Sequence, residues 1–117
     1  MVIDHVTVPV SDYEAAKRFY ERALAPLGLV VLLDWRDKRR AYLGLPGRPS
    51  SVWLVEAPAA GGLDFCLAAP DVDAVAAFHA EALAAGGRST GDATRVLDVD
   101  GNSIEAVHRP EPALRAA

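Results

Sequence analysis

Hydrophobic and polar positions follow two different periods in the first part of the chain. Valines at every second position of residues 6–10 alternate with polar or mixed positions, which predicts a strand with one apolar face. Ser11 and Asp12 then offer N-cap oxygens, with Glu14 three residues after Ser11 as in a capping box. Apolar residues recur with helical spacing over residues 12–25, until Pro26 and Gly28 end the predicted helix. Three further strands are predicted at residues 29–35, 40–45 and 52–56. This order predicts a βαβββ module.

The same order of patterns returns after a linker at residues 58–62. Residues 63–68 alternate, and Pro70 and Asp71 precede a second helix that ends at the Gly86-Gly87 pair. The apolar stripe of this helix is predicted to contain Val75, Phe78, Ala82 and Leu83. Two strands follow, at residues 94–98 and 103–108. Only residues 88–95 separate the helix from the next strand, so the first hairpin strand of this module is predicted to be abbreviated or missing.

The two halves align without a gap over the strand and the helix. Pairs of residues at one constant offset include Asp12 with Asp71, Phe19 with Phe78, Ala23 with Ala82, Leu24 with Leu83, and Gly28 with Gly87. Chance similarity between two amphipathic βα units is the alternative, but it does not readily reproduce the cap and the terminal glycine together, so duplication is favoured. The sequence predicts one α+β domain over residues 1–117, with tandem modules at 1–58 and 61–109, a curled mixed sheet with helices on its convex face, and a loose tail at 110–117.

Strand alternation indicates which residues are candidate metal ligands. His5, Asp64 and Glu105 lie at positions that point away from the apolar faces of three strands, so they are predicted to converge on one concave surface. One imidazole and two carboxylates suit a divalent metal such as Mn, Zn, Ni, Fe or Mg. Each residue also has an ordinary interpretation, as a hydrogen-bonded histidine, an edge-strand charge or a solvated carboxylate.

Four further positions share the predicted cleft face and are candidate ligand contacts: Trp53, Thr7, Cys66 and Val107. Trp53 offers a stacking surface for an aromatic ligand, or it belongs to the core of a dimer contact. A lone thiol such as Cys66 is more often a small apolar filler than a reactive group.

Composition narrows the class of protein. The chain has 117 residues, of which 51% are hydrophobic, so it can bury the core of one domain. A formal net charge of -4 argues against a nucleic-acid surface. The single cysteine precludes an intrachain disulfide, and no apolar run approaches the length of about 20 residues that a membrane span needs. A cytoplasmic protein without a signal peptide is expected.

Three segments resemble the vicinal-oxygen-chelate superfamily of glyoxalases, extradiol dioxygenases and bleomycin-resistance (antibiotic-binding) proteins. They are IDHVTV at residues 3–8, FYERAL followed by LG within residues 19–28, and LDVDGNSIEAV at residues 97–107, which is similar to the D-P-D-G-N-x-I-E ending of that family. The resemblance extends over about residues 2–109.

This resemblance implies a U-shaped cleft between paired modules, with metal ligands from the first strand of each module and from the last strand. By position these are His5, Asp64 and Glu105, with Glu105 also the candidate catalytic residue. Family members hold two neighbouring substrate oxygens on the metal, as in lyases, isomerases and dioxygenases. They commonly form homodimers.

Two departures from the family pattern keep a second function open. Asp64 stands where a second histidine is expected, and the second module is short. The alternative to a metal-dependent enzyme is therefore a metal-free protein of the same fold that binds a small, antibiotic-type molecule.

Overall fold

The chain folds as two consecutive βαβββ modules in the computed structural model, which describes residues 3–110. The first module consists of β1 (Val6–Val10), α1 (Tyr13–Leu24), β2 (Val30–Trp35), β3 (Arg40–Gly44) and β4 (Val52–Glu56). The second module consists of β5 (Asp64–Ala68), α2 (Val72–Ala84), β6 (Arg88–Ser89), β7 (Arg95–Leu97) and β8 (Ser103–Val107). The predicted α+β fold of tandem modules is confirmed. Most of the predicted loose tail, residues 111–117, lies outside the described residues.

Each module builds its own four-stranded mixed sheet. The strand order is β1-β4-β3-β2 in the first sheet and β5-β8-β7-β6 in the second sheet, with β1 parallel to β4 and β5 parallel to β8. Both sheets therefore have the same topology, and hydrogen bonding divides the predicted curled sheet into two ladders of four strands. Strand β6 has only two residues, which confirms the abbreviated strand of the second module.

The helix starts of the two modules are built alike. The Asp12 carboxylate accepts a hydrogen bond from the Ala15 amide at 3.1 Å, and the Asp71 carboxylate accepts one from the Ala74 amide at 2.7 Å. An aspartate at this position satisfies one of the free amides in the first turn of a helix. Of the two predicted cap candidates of the first helix, Asp12 rather than Ser11 is thus the N-cap, and the predicted cap Asp71 is confirmed in the second.

The helix ends differ, although the sequence alignment pairs Gly28 with Gly87. Gly28 has a φ of 89°, in the left-handed region, and ends the 3₁₀ turn (Ala25–Leu27) that follows α1. In the second module Gly86 takes the left-handed conformation, with a φ of 106°. Gly87 is needed for space instead, because a Cβ there would lie 2.5 Å from Val96. The prediction that Gly28 and Gly87 are equivalent is wrong in this respect.

Both helices pack against the inner faces of the sheets and against each other. Leu24 in α1 and Phe78 in α2 are fully buried in one core shared by the modules. Leu83 was predicted to lie in the apolar stripe of α2, but it is 36% exposed, whereas its repeat mate Leu24 is not exposed at all. The second helix thus buries a narrower face than its sequence suggests.

A polar network joins the modules at the turn between β7 and β8. The Asp98 carboxylate accepts hydrogen bonds from the Tyr20 hydroxyl at 2.7 Å and from the Asn102 amide nitrogen at 2.9 Å. The Asn102 side chain also donates to the Pro9 carbonyl and accepts from the Leu63 amide. Burial and the Asp98 charge raise the pKa of the Tyr20 hydroxyl, which keeps it a donor. The D-x-D-G-N motif therefore connects the modules.

Within residues 3–110, no helix is long and apolar enough to cross a membrane.

Candidate functional site

Three aromatic rings lie in a row on the outer face of the first sheet, which points away from the helices. The His5 ring stacks on Trp53 with centroids 3.5 Å apart, and the Trp53 ring stacks on Tyr42 at 4.5 Å. Strand register explains the row, because Thr7, Trp53 and Tyr42 are cross-strand neighbours on β1, β4 and β3. The alternation predicted from the sequence is correct here, since Val52 and Leu54 point inward and are fully buried. We call His5, Trp53 and Tyr42 the aromatic row.

Trp53 is held between its two neighbours. Because β4 lies between β1 and β3, His5 and Tyr42 cover opposite faces of the indole, and the indole nitrogen donates to the Ser50 hydroxyl at 2.7 Å. In this arrangement the rings of His5 and Tyr42 already stack on Trp53, so a direct role of Trp53 in ligand binding stays a prediction. His5, whose ring lies against that of Trp53, is the member of the aromatic row that lines the cavity described below.

The corresponding face of the second sheet is ionic. One guanidinium nitrogen of Arg95 lies 2.5 Å from the Asp64 carboxylate, and the other lies 3.2 Å from the Glu105 carboxylate. Arg95 also donates to the Ser103 hydroxyl at 2.6 Å, and the Thr94 hydroxyl, whose shorter hydrogen bond of 2.7 Å goes to Asp92, lies 3.2 Å from Glu105. We call Asp64, Arg95 and Glu105 the ionic cluster. Its carboxylates, with the hydrogen bond to Asp64 foremost, raise the pKa of the Arg95 guanidinium.

The predicted metal ligands do not meet at one point in the described part of the chain. Asp64 and Glu105 are brought together, but a guanidinium lies between them, and His5 belongs to the aromatic row of the other sheet. Among residues 3–110, no three His, Cys, Asp or Glu side chains form a group that could hold a metal ion. In this arrangement, His5, Asp64 and Glu105 of one chain do not form a set of ligands that fits a metal ion. Whether the protein binds one stays a prediction.

A cavity of about 560 Å³ lies between the start of β1 and strand β5. Its wall consists of residues 3–6 and 64–68 together with Leu27, Leu29, Leu45 and Ser51. His5, Asp64 and Cys66 from the predicted site all line it. The Asp4 carboxylate lies 2.8 Å from the Nδ1 atom of His5, and burial, followed by the nearby Glu105 carboxylate, raises the pKa of the Cys66 thiol. Cys66 is thus a protonated residue of the cavity wall, and because it is exposed it does not fill the core as the sequence interpretation favoured.

The other candidates lie on the predicted faces but outside this wall. Thr7 is exposed beside the aromatic row, and Val107 is half-buried opposite Ala68 at the end of β8. Glu105, the candidate catalytic residue, is engaged by Arg95 and Thr94. Neither Thr7 nor Val107 is among the described residues that line the cavity.

Sequence reasoning missed two residues, Tyr42 and Arg95. Tyr42 lies in a predicted strand and shares the outward parity of Arg40, so alternation could have found it. Arg95 lies opposite Glu105 on neighbouring antiparallel strands, and it reaches across β8 to Asp64 on β5. No short-range pattern in one sequence specifies that register.

Comparisons of the sequence and of the structure with known proteins lead to the same superfamily. The sequence model of the Glyoxalase/Bleomycin resistance protein/Dioxygenase superfamily matches residues 2–107. A crystal structure of a glyoxalase/bleomycin resistance protein from Albidiferax ferrireducens is 28% identical, with a TM-score of 0.81, and covers 94% of this chain and 100% of that chain.

Two further solved structures have similar folds. TnmS3, an antibiotic binding protein from a Streptomyces species, is 26% identical with a TM-score of 0.62 over 94% of this chain and 97% of that chain. A lactoylglutathione lyase from Agrobacterium tumefaciens is 19% identical with a TM-score of 0.62 over 92% of each chain, and it shows the fold alone. No curated protein matches this chain significantly.

Proposed function

Since this chain belongs to the Glyoxalase/Bleomycin resistance protein/Dioxygenase superfamily, we propose that it is a metal-free binding protein for a small planar molecule, which it takes up in the cavity between β1 and β5. The observation that carries this proposal is a mostly apolar cavity with the His5 ring in its wall.

The size and lining of the cavity support this proposal. A volume of about 560 Å³ falls within the range of about 300–1,000 Å³ that is usual for small-molecule sites. Its apolar wall comes from both modules, including Leu27 and Leu29 of the first and Phe65 and Leu67 of the second. Apolar walls with a few polar groups are the usual composition of such sites.

The aromatic row supplies a rigid stacking surface. His5 is 28% exposed and is held on Trp53, which is held in turn by Tyr42 and Ser50. A ring that is already ordered loses little conformational entropy when a ligand stacks on it. An aromatic pair adds about 0.5–1.5 kcal/mol beyond the area that it buries.

The charges of the wall favour a cation or a neutral molecule over an anion. Asp4 and Asp64 are the acidic groups of the wall, and no lysine or arginine is among the described residues that line it. Arg95 balances part of the Asp64 charge from outside the cavity wall. An anionic ligand would therefore meet carboxylates without a facing cation.

The metal-dependent lyase, isomerase or dioxygenase remains a prediction with less support. His5 and Asp64 share the cavity, but Glu105 does not line it within the described residues, and Arg95 holds both carboxylates. The similarity to an antibiotic binding protein at 26% identity supports the binding function without specifying a ligand.

The test uses two planar tricyclic probes of opposite charge. Titration calorimetry should show that 9-aminoacridine, a cation, binds at least about tenfold more tightly than anthracene-9-carboxylate. His5→Ala should weaken binding of the cation at least about tenfold, whereas His5→Phe, which keeps a flat ring, should retain it. Thr7→Ala, on the same strand but outside the cavity wall, is the matched control.

Two outcomes would contradict the proposal. One is that neither probe binds, and the other is that His5→Ala binds the cation as tightly as wild type does. A melting temperature that rises with Mn, Zn, Ni, Fe or Mg, and no longer rises in His5→Ala, would favour the metal-dependent enzyme instead.

We also propose a homodimer, on the basis of the edge strand β2. Its side chains Val30, Leu32, Leu33 and Trp35 are each between 40% and 45% exposed, which is unusually apolar for the free edge of a sheet. Size-exclusion chromatography with light scattering should give twice the mass of the chain, and Leu33→Lys should reduce it to that of one chain. A monomeric wild type would refute the homodimer.

A further inference from the structure

The outer part of the cavity between β1 and β5 is formed by two apolar side chains that are open to solvent. Ile3 is 63% exposed and Leu45 is 41% exposed, and both line the cavity. We call these two side chains the apolar rim. We propose that the molecule taken up in the cavity carries an aliphatic substituent, which lies against the apolar rim. This ligand class rests on the proposed function, since the cavity is the same.

The wall of the cavity changes from buried to exposed while it stays apolar. Leu27 and Leu29 are only 3% and 6% exposed, so they belong to the core as well as to the wall. Ile3 and Leu45 continue this wall into solvent. A single exposed apolar side chain is common on protein surfaces, but apolar side chains that adjoin a cavity are typical of ligand-binding surfaces. The apolar surface offered to a ligand therefore extends to the solvent-facing side of the cavity.

Leu45 is held in place by its surroundings. Its Cδ2 atom packs over Gly28, where an added Cβ would lie 3.2 Å from it. The Leu45 carbonyl accepts a hydrogen bond from the Arg48 amide at 3.1 Å, which closes a turn in the connection between β3 and β4. A side chain that is already ordered loses little conformational entropy when an aliphatic chain packs against it. Leu45 is thus a preformed contact for such a chain.

The position of Ile3 brings the apolar rim close to the stacking ring. Ile3 lies two residues before His5, so their Cα atoms are at most about 7 Å apart. A short alkyl chain on a planar molecule that stacks on His5 therefore reaches the rim. The carboxylates of Asp4 and Asp64 in the same wall favour a cationic ring. Together these features favour an amphiphile, with a planar cationic head and an aliphatic substituent, over a ligand that is polar throughout.

The apolar rim differs from the exposed apolar side chains of the edge strand β2. That strand carries four of them, Val30, Leu32, Leu33 and Trp35, and none is among the described residues that line the cavity. The rim therefore faces a site for a small molecule, whereas β2 is the edge on which the homodimer is proposed. A second copy of the chain is the competing occupant of the rim, and the mass of the protein in solution distinguishes the two.

The experiment compares two cations with the same ring, 9-aminoacridine and its N-hexyl derivative, by titration calorimetry. Wild-type protein should bind the N-hexyl derivative at least about tenfold more tightly, because the hexyl chain buries apolar surface on the rim. The double variant Ile3→Ala with Leu45→Ala should reduce this preference to less than about threefold. Leu45→Met, which keeps an apolar side chain of similar volume, should retain it. Val99→Ala is the matched control, because it truncates an exposed apolar side chain outside this cavity wall.

Equal affinities of the wild type for the two cations would overturn the proposal, as would an undiminished preference in the double variant. In both cases the proposed function stands if 9-aminoacridine binds, whereas binding of neither cation refutes the function and the ligand class together. Both rim side chains are exposed, so the double variant should melt close to wild type, and the wild-type comparison does not depend on it. A double variant that changes its mass in light scattering while it keeps the preference would assign the rim to an interface between copies instead.

Discussion

In the first module the outer face of the sheet carries three stacked rings, whereas the same face of the second module carries an arginine between two carboxylates. Both faces are built on sheets of identical strand order, and both helices begin at an aspartate cap. The modules therefore share their strand order and their helix caps, and they differ in the side chains that point away from the core. Topology therefore places the two sites but does not determine their chemistry.

The largest difference between repeat mates is expected in the core. Leu24 is completely buried and Leu83 is 36% exposed. Leu24→Ala should lower the free energy of unfolding by about 2–5 kcal/mol, because it leaves a cavity, whereas Leu83→Ala should cost less than about 1 kcal/mol. Urea denaturation of both variants measures the difference. Equal losses would mean that the two helices bury equivalent faces.

A smaller effect is expected at the helix caps, where the modules should behave alike. Asp12→Ala and Asp71→Ala each remove an acceptor for a first-turn amide, and each should lower the free energy of unfolding by about 1 kcal/mol. Asp12→Asn and Asp71→Asn, which keep a capping oxygen, should be close to wild type. Thermal denaturation in one buffer compares all four variants. A loss of stability at only one of the two caps would show that the two helix starts are not equivalent.

The smallest effect is expected on stability in acid. There the contributions of one carboxyl in each module, Asp34 and Asp92, should differ in their dependence on salt. The hydrogen bond from Lys17, followed by that from Tyr13, holds the pKa of the Asp34 carboxyl below its usual range. In the second module the amide of Thr94, followed by its hydroxyl, lowers the pKa of Asp92. A carboxyl with a lowered folded-state pKa stabilises the fold above its unfolded pKa of about 4, and this stability is lost as the pH falls through the folded pKa.

Asp34→Asn and Asp92→Asn should therefore each make the melting temperature less sensitive to acid below about pH 4. High salt should reduce the contribution of Asp34, which includes a lysine ion pair, more than that of Asp92, whose partner is neutral. Melting curves at low and high salt test this. Variants whose acid profiles coincide with that of wild type would show that neither carboxyl contributes.

The sequence predicted the features that depend on local periodicity and capping. Asp12 and Asp71 are identifiable from their spacing to the helices, and the inward position of Val52 and Leu54 follows from strand alternation. Leu83 was misassigned because its packing depends on how α2 is rotated against its neighbours, which tertiary contacts decide.

The candidate site was predictable only in part. His5 and Asp64 both line one cavity, but so do Val6 and Phe65 of the opposite parity, so alternation alone does not account for the wall. The role of Arg95 depends on the pairing of three strands that are distant in the sequence, and the covered faces of Trp53 depend on its two neighbours. Long-range register is the information that a single sequence does not contain.

The ion pair between α1 and α2 joins residues that are themselves repeat mates. Arg22 and Glu81 are 59 positions apart, and their side chains meet at 2.7 Å. Equivalent positions meet in this way beside a two-fold axis, where a residue of one half contacts the same residue of the other. Two identical halves would place like charges there and repel each other. An arginine facing a glutamate makes the halves complementary at this point, and a copy of either half in place of the other would put like charges there, at a small cost because both side chains are about half exposed.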